Sequence, residues 1–303
     1  MTMNNVRRLC VFAHYDRDGM VDDYVYFYLK ALLQVCSKII FVSVSLNNDD
    51  DFKSLEGLGI EVVVRGNTGY DFYSYKVGLA RQNVSQYDEV VICNDSVYGP
   101  FVNLSGTFEE MDKRECDFWG VTDSYQRKYH IQSYFLVFKN NVSSSDVFKC
   151  FWEGLEKESL KARVVDKYEI GLSQRLIRFG FKSDCIYKSE KNKSFKNMVN
   201  SLFRISRVDI KKQIKNNTVK NTLQKLVTIG NVNPTHKNWK ETLSKKKSPF
   251  IKVELLRDNP AGVNDKDDII SYINRYYNYP VSLISEHLER MKSSCAPRAG
   301  DST

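Results

Sequence analysis

The chain lacks any run approaching the roughly 20 apolar residues that a helix needs to cross a bilayer. It also lacks a secretory signal: residues 1–8 are polar and lead straight into a strand-like run, which points to a cytoplasmic protein. Its seven cysteines contain no CxxC pair. They stand at Cys10, Cys36, Cys93, Cys116, Cys150, Cys185 and Cys295, scattered and odd in number, which argues against a zinc ribbon and against a disulfide framework. Several sit in apolar runs, where a free cysteine behaves as a small hydrophobe. Internal repeats are absent. So are helix-turn-helix, zinc-finger and aromatic RNA-binding motifs, and nucleic acid is therefore not the expected partner.

What remains is an ordinary globular composition, 42% hydrophobic and 27% charged over 303 residues, enough for a sizeable core. The charge is uneven. Residues 187–253 hold 17 Lys/Arg against 3 Asp/Glu, so a basic segment is appended to a mildly acidic body in a chain of net charge +8. Phosphates are its natural partners, whether of nucleic acid, an anionic membrane or a lipid pyrophosphate.

The first half alternates in type. Residues 6–14 (VRRLCVFAH), 38–46 (KIIFVSVSL), 61–64 and 89–93 (EVVIC) read as strands. Helical spacing marks 23–35, 51–58 (stopped by Gly59) and 73–81. Strands alternating with helices predict a mostly parallel sheet covered on both faces. Beyond Cys93 the pattern changes. Helices are expected over 104–113, 147–158 and 166–179, and strands over 117–122 and 130–138, the latter antiparallel in style. Residues 197–204, 209–226, 267–277 and 281–292 read as helices, and 249–256 as a strand or docking arm. The division expected is a nucleotide-sugar-binding catalytic domain over 1–186, a basic helical extension over 187–292 and a disordered tail over 293–303.

In open α/β sheets, ligands bind beyond the carboxyl ends of the strands. Three polar clusters lie there: 14–23, 65–76 (RGNTGYDFYSYK) and 94–99. In the second, Gly66 and Gly69 permit tight turns, Arg65 and Lys76 can meet phosphate oxygens, and Asn67 and Asp71 can hydrogen-bond a base or ribose. The competing reading is a polar turn with Asp71 capping the next helix. In the third, Asn94 and Asp95 follow a buried strand. A carboxylate there can hold a divalent ion on a diphosphate, or merely build an Asx turn. Asp166 and Glu169 form a capping-box pattern, and Glu169 is equally a candidate general base. His130 and Gln132 alternate with Ile131 and so share one strand face. Trp119 can stack on a sugar or fill core. His236 sits in a Pro-punctuated turn, NPTHKNWK.

The ordered motifs RGNTGYDF (65–72), NDSVYGP (94–100), FWGVT (118–122), HIQSYF (130–135), NPTH (233–236) and FIKVELLRDNP (250–260) resemble the rhamnan synthesis protein F family. The likeness runs from about residue 9 to about residue 260. It implies a glycosyltransferase with a GT-A-like, Rossmann-type mixed α/β sheet flanked by helices. The reaction implied is transfer of a sugar, typically L-rhamnose from dTDP-rhamnose, onto a lipid-linked surface polysaccharide. On that likeness His14, Arg65, Asn67, Asp71, Lys76 and Asn94 bind the donor, and Asp95 takes the acidic-motif role. Glu169 supplies the base of an inverting enzyme, and Trp119, His130 and Gln132 meet the acceptor. Mg²⁺ or Mn²⁺ would be held by Asp95 and the distal His236. The sequence departs from the usual acidic motif in holding one carboxylate there rather than two. A peripheral position on the anionic inner-membrane surface follows from the basic segment. The rival readings are a non-catalytic carbohydrate-binding or scaffold protein of the same assembly pathway, and a nucleic-acid-binding protein on charge alone.

Overall fold

The computed structural model describes residues 6–189, 239–244, 248–260, 262–265 and 268–293. In chain order it forms β1 (Arg8–His14), α1 (Asp23–Leu33), β2 (Lys38–Ser43), α2 (Asp49–Gly57), β3 (Glu61–Val64), α3 (Tyr70–Leu79), β4 (Glu89–Asn94) and β5 (Val97–Tyr98). Then follow α4 (Leu104–Asp112), β6 (Phe118–Ser124), β7 (His130–Ile131), β8 (Phe135–Lys139), α5 (Asn140–Ser143) and α6 (Asp146–Glu153). A continuous helical stretch comes next: α7 (Lys161–Val164), a π-helical segment (Val165–Ile170) and α8 (Gly171–Arg178). The remainder is β9 (Ser183–Tyr187), α9 (Trp239–Ser244), β10 (Ile251–Lys252), α10 (Val253–Arg257), α11 (Asp268–Tyr276) and α12 (Ser282–Ser293).

Eight strands make one sheet in the order β3-β2-β1-β4-β8-β6-β7, with β9 beside β6. The first four run parallel, while β8 is antiparallel to both β4 and β6. This is the Rossmann-type mixed sheet flanked by helices that the family resemblance implies, and its four parallel strands are those of the alternating pattern. The β-branched and aromatic content of β1, β2 and β4 suits strands buried on both faces. Their side chains alternate between two cores. Cys10, Phe12, Ile39, Phe41 and Val91 face one, with α1, α4 and the C-terminal helices. Leu9, Val11, Ile40, Val42 and Ile92 face the other, with α3, α6 and α8. Gly78 lets α3 lie close on the sheet, since a Cβ there would run into Val11 and Val42.

Trp239, Phe250, Leu255, Ile269, Ile273 and Ile284 belong to the first core, together with Phe12, Tyr28 and Tyr98. The described part of the C-terminal segment is therefore packed into the body rather than standing as a separate unit. Most of the basic segment, the helices expected over 197–204 and 209–226, and the tail after residue 293 lie outside the described residues. The strand expected over 130–138 is split, because the chain turns at Ser133–Tyr134 between β7 and β8. The expected helix start at Asp166 is also corrected. The helix begins at Lys161, and Asp166 lies within the π-helical segment, paired with Arg127 instead of capping. No helix among the described residues is long and apolar enough to cross a membrane.

Candidate functional site

β2 and β3 lie on one side of β1, and β4 on the other. The chain thus changes direction between β1 and β4, and the loops after these two strands must diverge and leave a crevice. A cavity of about 1230 Å³ opens there. It is lined by residues 14–17 after β1, 67–72 leading into α3, and 94–96 after β4. Glu169 from the π-helical segment, residues 132–134 before β8, and Lys252 and Glu254 from the C-terminal segment complete the lining.

Asp95 Oδ2 accepts a 2.7 Å hydrogen bond from the Tyr15 backbone N–H, which ties the β4 loop to the β1 loop. Burial, reinforced by the charges of Asp16 and Asp71, raises the Asp95 pKa from 3.8 to about 7, although the Tyr15 N–H works the other way. Asp71 is likewise raised, first by burial and then by Glu169. Its Oδ2 accepts from Asn94 Nδ2 at 3.2 Å, and Asn94 Oδ1 in turn accepts from the Ser96 hydroxyl at 2.6 Å. Asp71 does not cap α3; Gly69, at a left-handed φ of 81°, holds that position. Burial is the larger cause for both Asp95 and Asp71, and the part that comes from neighbouring carboxylates is relieved by a cation.

Glu169 sits where a π-helical turn interrupts the regular helix, a device found often at functional sites. Its Oε1 accepts both the backbone N–H (2.7 Å) and the hydroxyl (2.9 Å) of Ser133. These two bonds fix the carboxylate, and Oε2 has no hydrogen-bond partner among the described residues. His130 and Gln132 line the same cavity. His130 Nδ1 lies 2.8 Å from the Lys128 carbonyl, and Gln132 Oε1 accepts from Thr122 Oγ1 at 2.6 Å. His14 is also in the lining, 3.0 Å from Ser43 Oγ; burial lowers its pKa to about 4, so it is neutral at pH 7.

Three expected site residues are placed elsewhere. Arg65 points into its own loop and donates to the carbonyls of Gly66 (2.9 Å), Thr68 (2.5 Å) and Tyr70 (2.6 Å), and to Ser74 Oγ (2.7 Å). Lys76 Nζ donates to the carbonyls of Glu153 and Leu155, both at 2.8 Å. Neither cation lines the cavity, because the exposed carbonyls of tight turns compete for them at short range. Trp119 is fully buried against Phe108 and Phe135 and fills core, so it meets no acceptor. His236 lies outside the described residues.

Other residues at the site were not singled out in advance. Ser133 holds Glu169. Asp16 and Asp22 are joined by Arg290 of α12, whose Nη2 lies 2.5 Å from Asp16 Oδ2 and 2.6 Å from Asp22 Oδ2. Asp16 falls in the polar cluster after the first strand, and that signal was readable. Arg290 pairs across nearly the whole chain, and no local pattern announces it. Among the described residues no group of three or more His, Cys, Asp or Glu side chains is arranged as a metal site. Mg²⁺, however, is commonly held by one or two carboxylates together with substrate phosphates. Asp95, raised first by burial and then by its acidic neighbours, fits that role.

The chain is 32% identical over 206 residues to the virulence protein VirA of Vibrio anguillarum, covering 66% of this chain and 63% of that protein. It is 26% identical over 197 residues to the uncharacterized protein y4gN of Sinorhizobium fredii, covering 63% of this chain and 51% of that one. The chain thus spans less than two thirds of the length of these relatives. Among solved structures, the apo-form glycosyltransferase GlyE of Streptococcus pneumoniae TIGR4 matches 95% of this chain and 64% of its own, at 13% identity and a TM-score of 0.44. The model of rhamnan synthesis protein F matches residues 39–229, more than half of the chain, and the chain belongs to that family.

Proposed function

We propose that this protein is a nucleotide-sugar-dependent glycosyltransferase of polysaccharide synthesis, inverting in stereochemistry. The donor proposed is dTDP-rhamnose and the acceptor a lipid-linked glycan. The observation that carries the reading is that Asp95 and Glu169 line one cavity at the topological switch point. The first is a raised carboxylate suited to a cation and diphosphate; the second is an oriented carboxylate suited to a hydroxyl.

Glu169 Oε2 takes the proton of an acceptor hydroxyl while Ser133 holds Oε1. The hydroxyl oxygen bonds to the anomeric carbon from the face opposite the diphosphate. The bond from that carbon to the diphosphate oxygen breaks, its electron pair leaves with the nucleotide, and the configuration inverts. Asn67 and Asp71 orient the nucleoside, and His130 and Gln132 the acceptor. A divalent cation bound at Asp95 would supply positive charge to the departing diphosphate. The segment with 17 Lys/Arg keeps the enzyme at an anionic membrane near its acceptor, which binding to anionic vesicles that weakens with salt would register.

The test is release of nucleoside diphosphate from a panel of nucleotide sugars by wild type and Glu169→Gln. Loss of rate by about 10²-fold or more, with donor affinity nearly unchanged, is expected of a general base. Turnover near wild type in the variant would remove that assignment. A folded wild type that neither binds nor turns over any donor would mark a non-catalytic carbohydrate-binding protein instead.

A further inference from the structure

With Arg65 and Lys76 committed to backbone carbonyls, the site needs another group to meet phosphate oxygens. We propose that Lys252 is that group, the residue that receives the diphosphate of the bound ligand. The inference rests on the nucleotide-sugar reading above and adds a residue from a part of the chain that reading did not use.

The placement of Lys252 is set by backbone pairing. β10 lies antiparallel to β5, with Lys252 opposite Val97 and Ile251 opposite Tyr98. The Val253 N–H donates to the Ser96 carbonyl at 2.9 Å. Ser96 directly follows Asp95, so this short ladder delivers a lysine from the far end of the chain to the edge of the acidic loop. Its side chain lies across Tyr134, with Nζ 4.2 Å from the ring centroid, and lines the cavity.

Nζ has neither a hydrogen-bond nor an ion-pair partner among the described residues. A half-buried ammonium without a partner is costly unless something arrives to pair with it. The tyrosine face holds the cation in place but leaves its N–H groups unspent. Burial pulls the Lys252 pKa down, while Glu169, Glu254 and Asp71 act in the opposite direction. A diphosphate between Asp95 with its cation and Lys252 would be met by positive charge from two sides. The carboxylate of Glu169 lines the same cavity and is left for the acceptor.

The experiment measures binding of inorganic pyrophosphate and of dTDP, each with Mg²⁺, to the full chain by calorimetry. Wild type, Lys252→Met and Lys252→Arg are compared. Because the β10–β5 ladder is made by backbone groups, Lys252→Met should keep the unliganded melting temperature, and Lys252→Arg keeps the charge if it does not. Loss of a charged hydrogen bond weakens pyrophosphate by at least about 10-fold in Lys252→Met, with most of the affinity kept in Lys252→Arg. Equal affinity in wild type and Lys252→Met, or no pyrophosphate binding to wild type, would overturn the proposal. Pyrophosphate binding that depends on Lys252 without any dTDP affinity would keep the anion site and remove the nucleotide reading. Tight dTDP binding indifferent to Lys252 would do the reverse.

Discussion

Residues 65–76 and 93–100 each follow a parallel strand at the same end of the sheet, and each is rich in glycine and polar side chains. In the first stretch the two cations turn back onto the protein. Arg65 gathers three carbonyls of its own loop, and Lys76 ties α3 to Glu153 at the end of α6 and to Leu155 two residues on. In the second, Asp95 keeps its place in the cavity: its side chain accepts from the Tyr15 N–H of the β1 loop and its carbonyl from the Tyr24 hydroxyl. The difference follows from supply and demand for hydrogen bonds. A loop whose turns leave carbonyls unpaired draws in nearby guanidinium and ammonium groups. A carboxylate has no carbonyl to serve, and it stays available to a ligand. Residues of the first kind should matter to folding, and those of the second to binding and catalysis at a cost in stability.

Two substitutions sharpen this contrast with effects of opposite sign. The larger is Arg65→Ala, which strands three loop carbonyls and the Ser74 hydroxyl. Charge-assisted bonds of this kind are worth a few kcal/mol in all, so a loss of about 2 kcal/mol in denaturant unfolding is expected. Unchanged stability would mean that the guanidinium does not hold the loop. The smaller is Asp95→Asn. The folded-state pKa of Asp95, about 7, lies above its ordinary value of 3.8. Between those values the folded state binds more protons than the unfolded. The contribution of the protonated form is therefore complete below about pH 4 and lost as pH rises through 7. Asparagine does not titrate, so at pH 8 the unliganded variant should be more stable than wild type by on the order of 1–2 kcal/mol. The gain should vanish below pH 4, the ordinary value of an Asp being 3.8. His14, whose shift runs the other way, is common to both proteins and cancels in the comparison. A variant less stable than wild type at pH 8 would show that the Asp95 carboxylate is structural.

Much of the architecture was legible in the sequence because strands buried on both faces read as β-branched runs. Thus β1, β2 and β4 appear nearly where 6–14, 38–46 and 89–93 predict them. The crevice was legible too, since polar clusters at successive strand ends must share one edge of a parallel sheet. Side-chain direction was not. Nothing in RGNTGYDF says that Arg65 folds back on the carbonyls of Gly66, Thr68 and Tyr70. Alternation along β6 does put Trp119 and Val121 on the opposite face from Phe118, but both faces are core. The capping-box pattern at Asp166 and Glu169 was real as a spacing and misleading as a structure, because the helix starts earlier and passes through a π-helical segment. Lys252 and Arg290 were hidden for a different reason. Each reaches the site through pairing across the length of the chain, which local periodicity does not encode.

The most direct test of the central claim is thermal unfolding of the full chain with dTDP, UDP, GDP or CDP, each with and without Mg²⁺ or Mn²⁺. A ligand at about 100 times its dissociation constant stabilises the folded state by roughly 2.7 kcal/mol, an easily measured shift. Selective stabilisation by dTDP, strengthened by the cation, is the predicted result. A well-folded sample whose melting temperature none of the four nucleotides moves would contradict it.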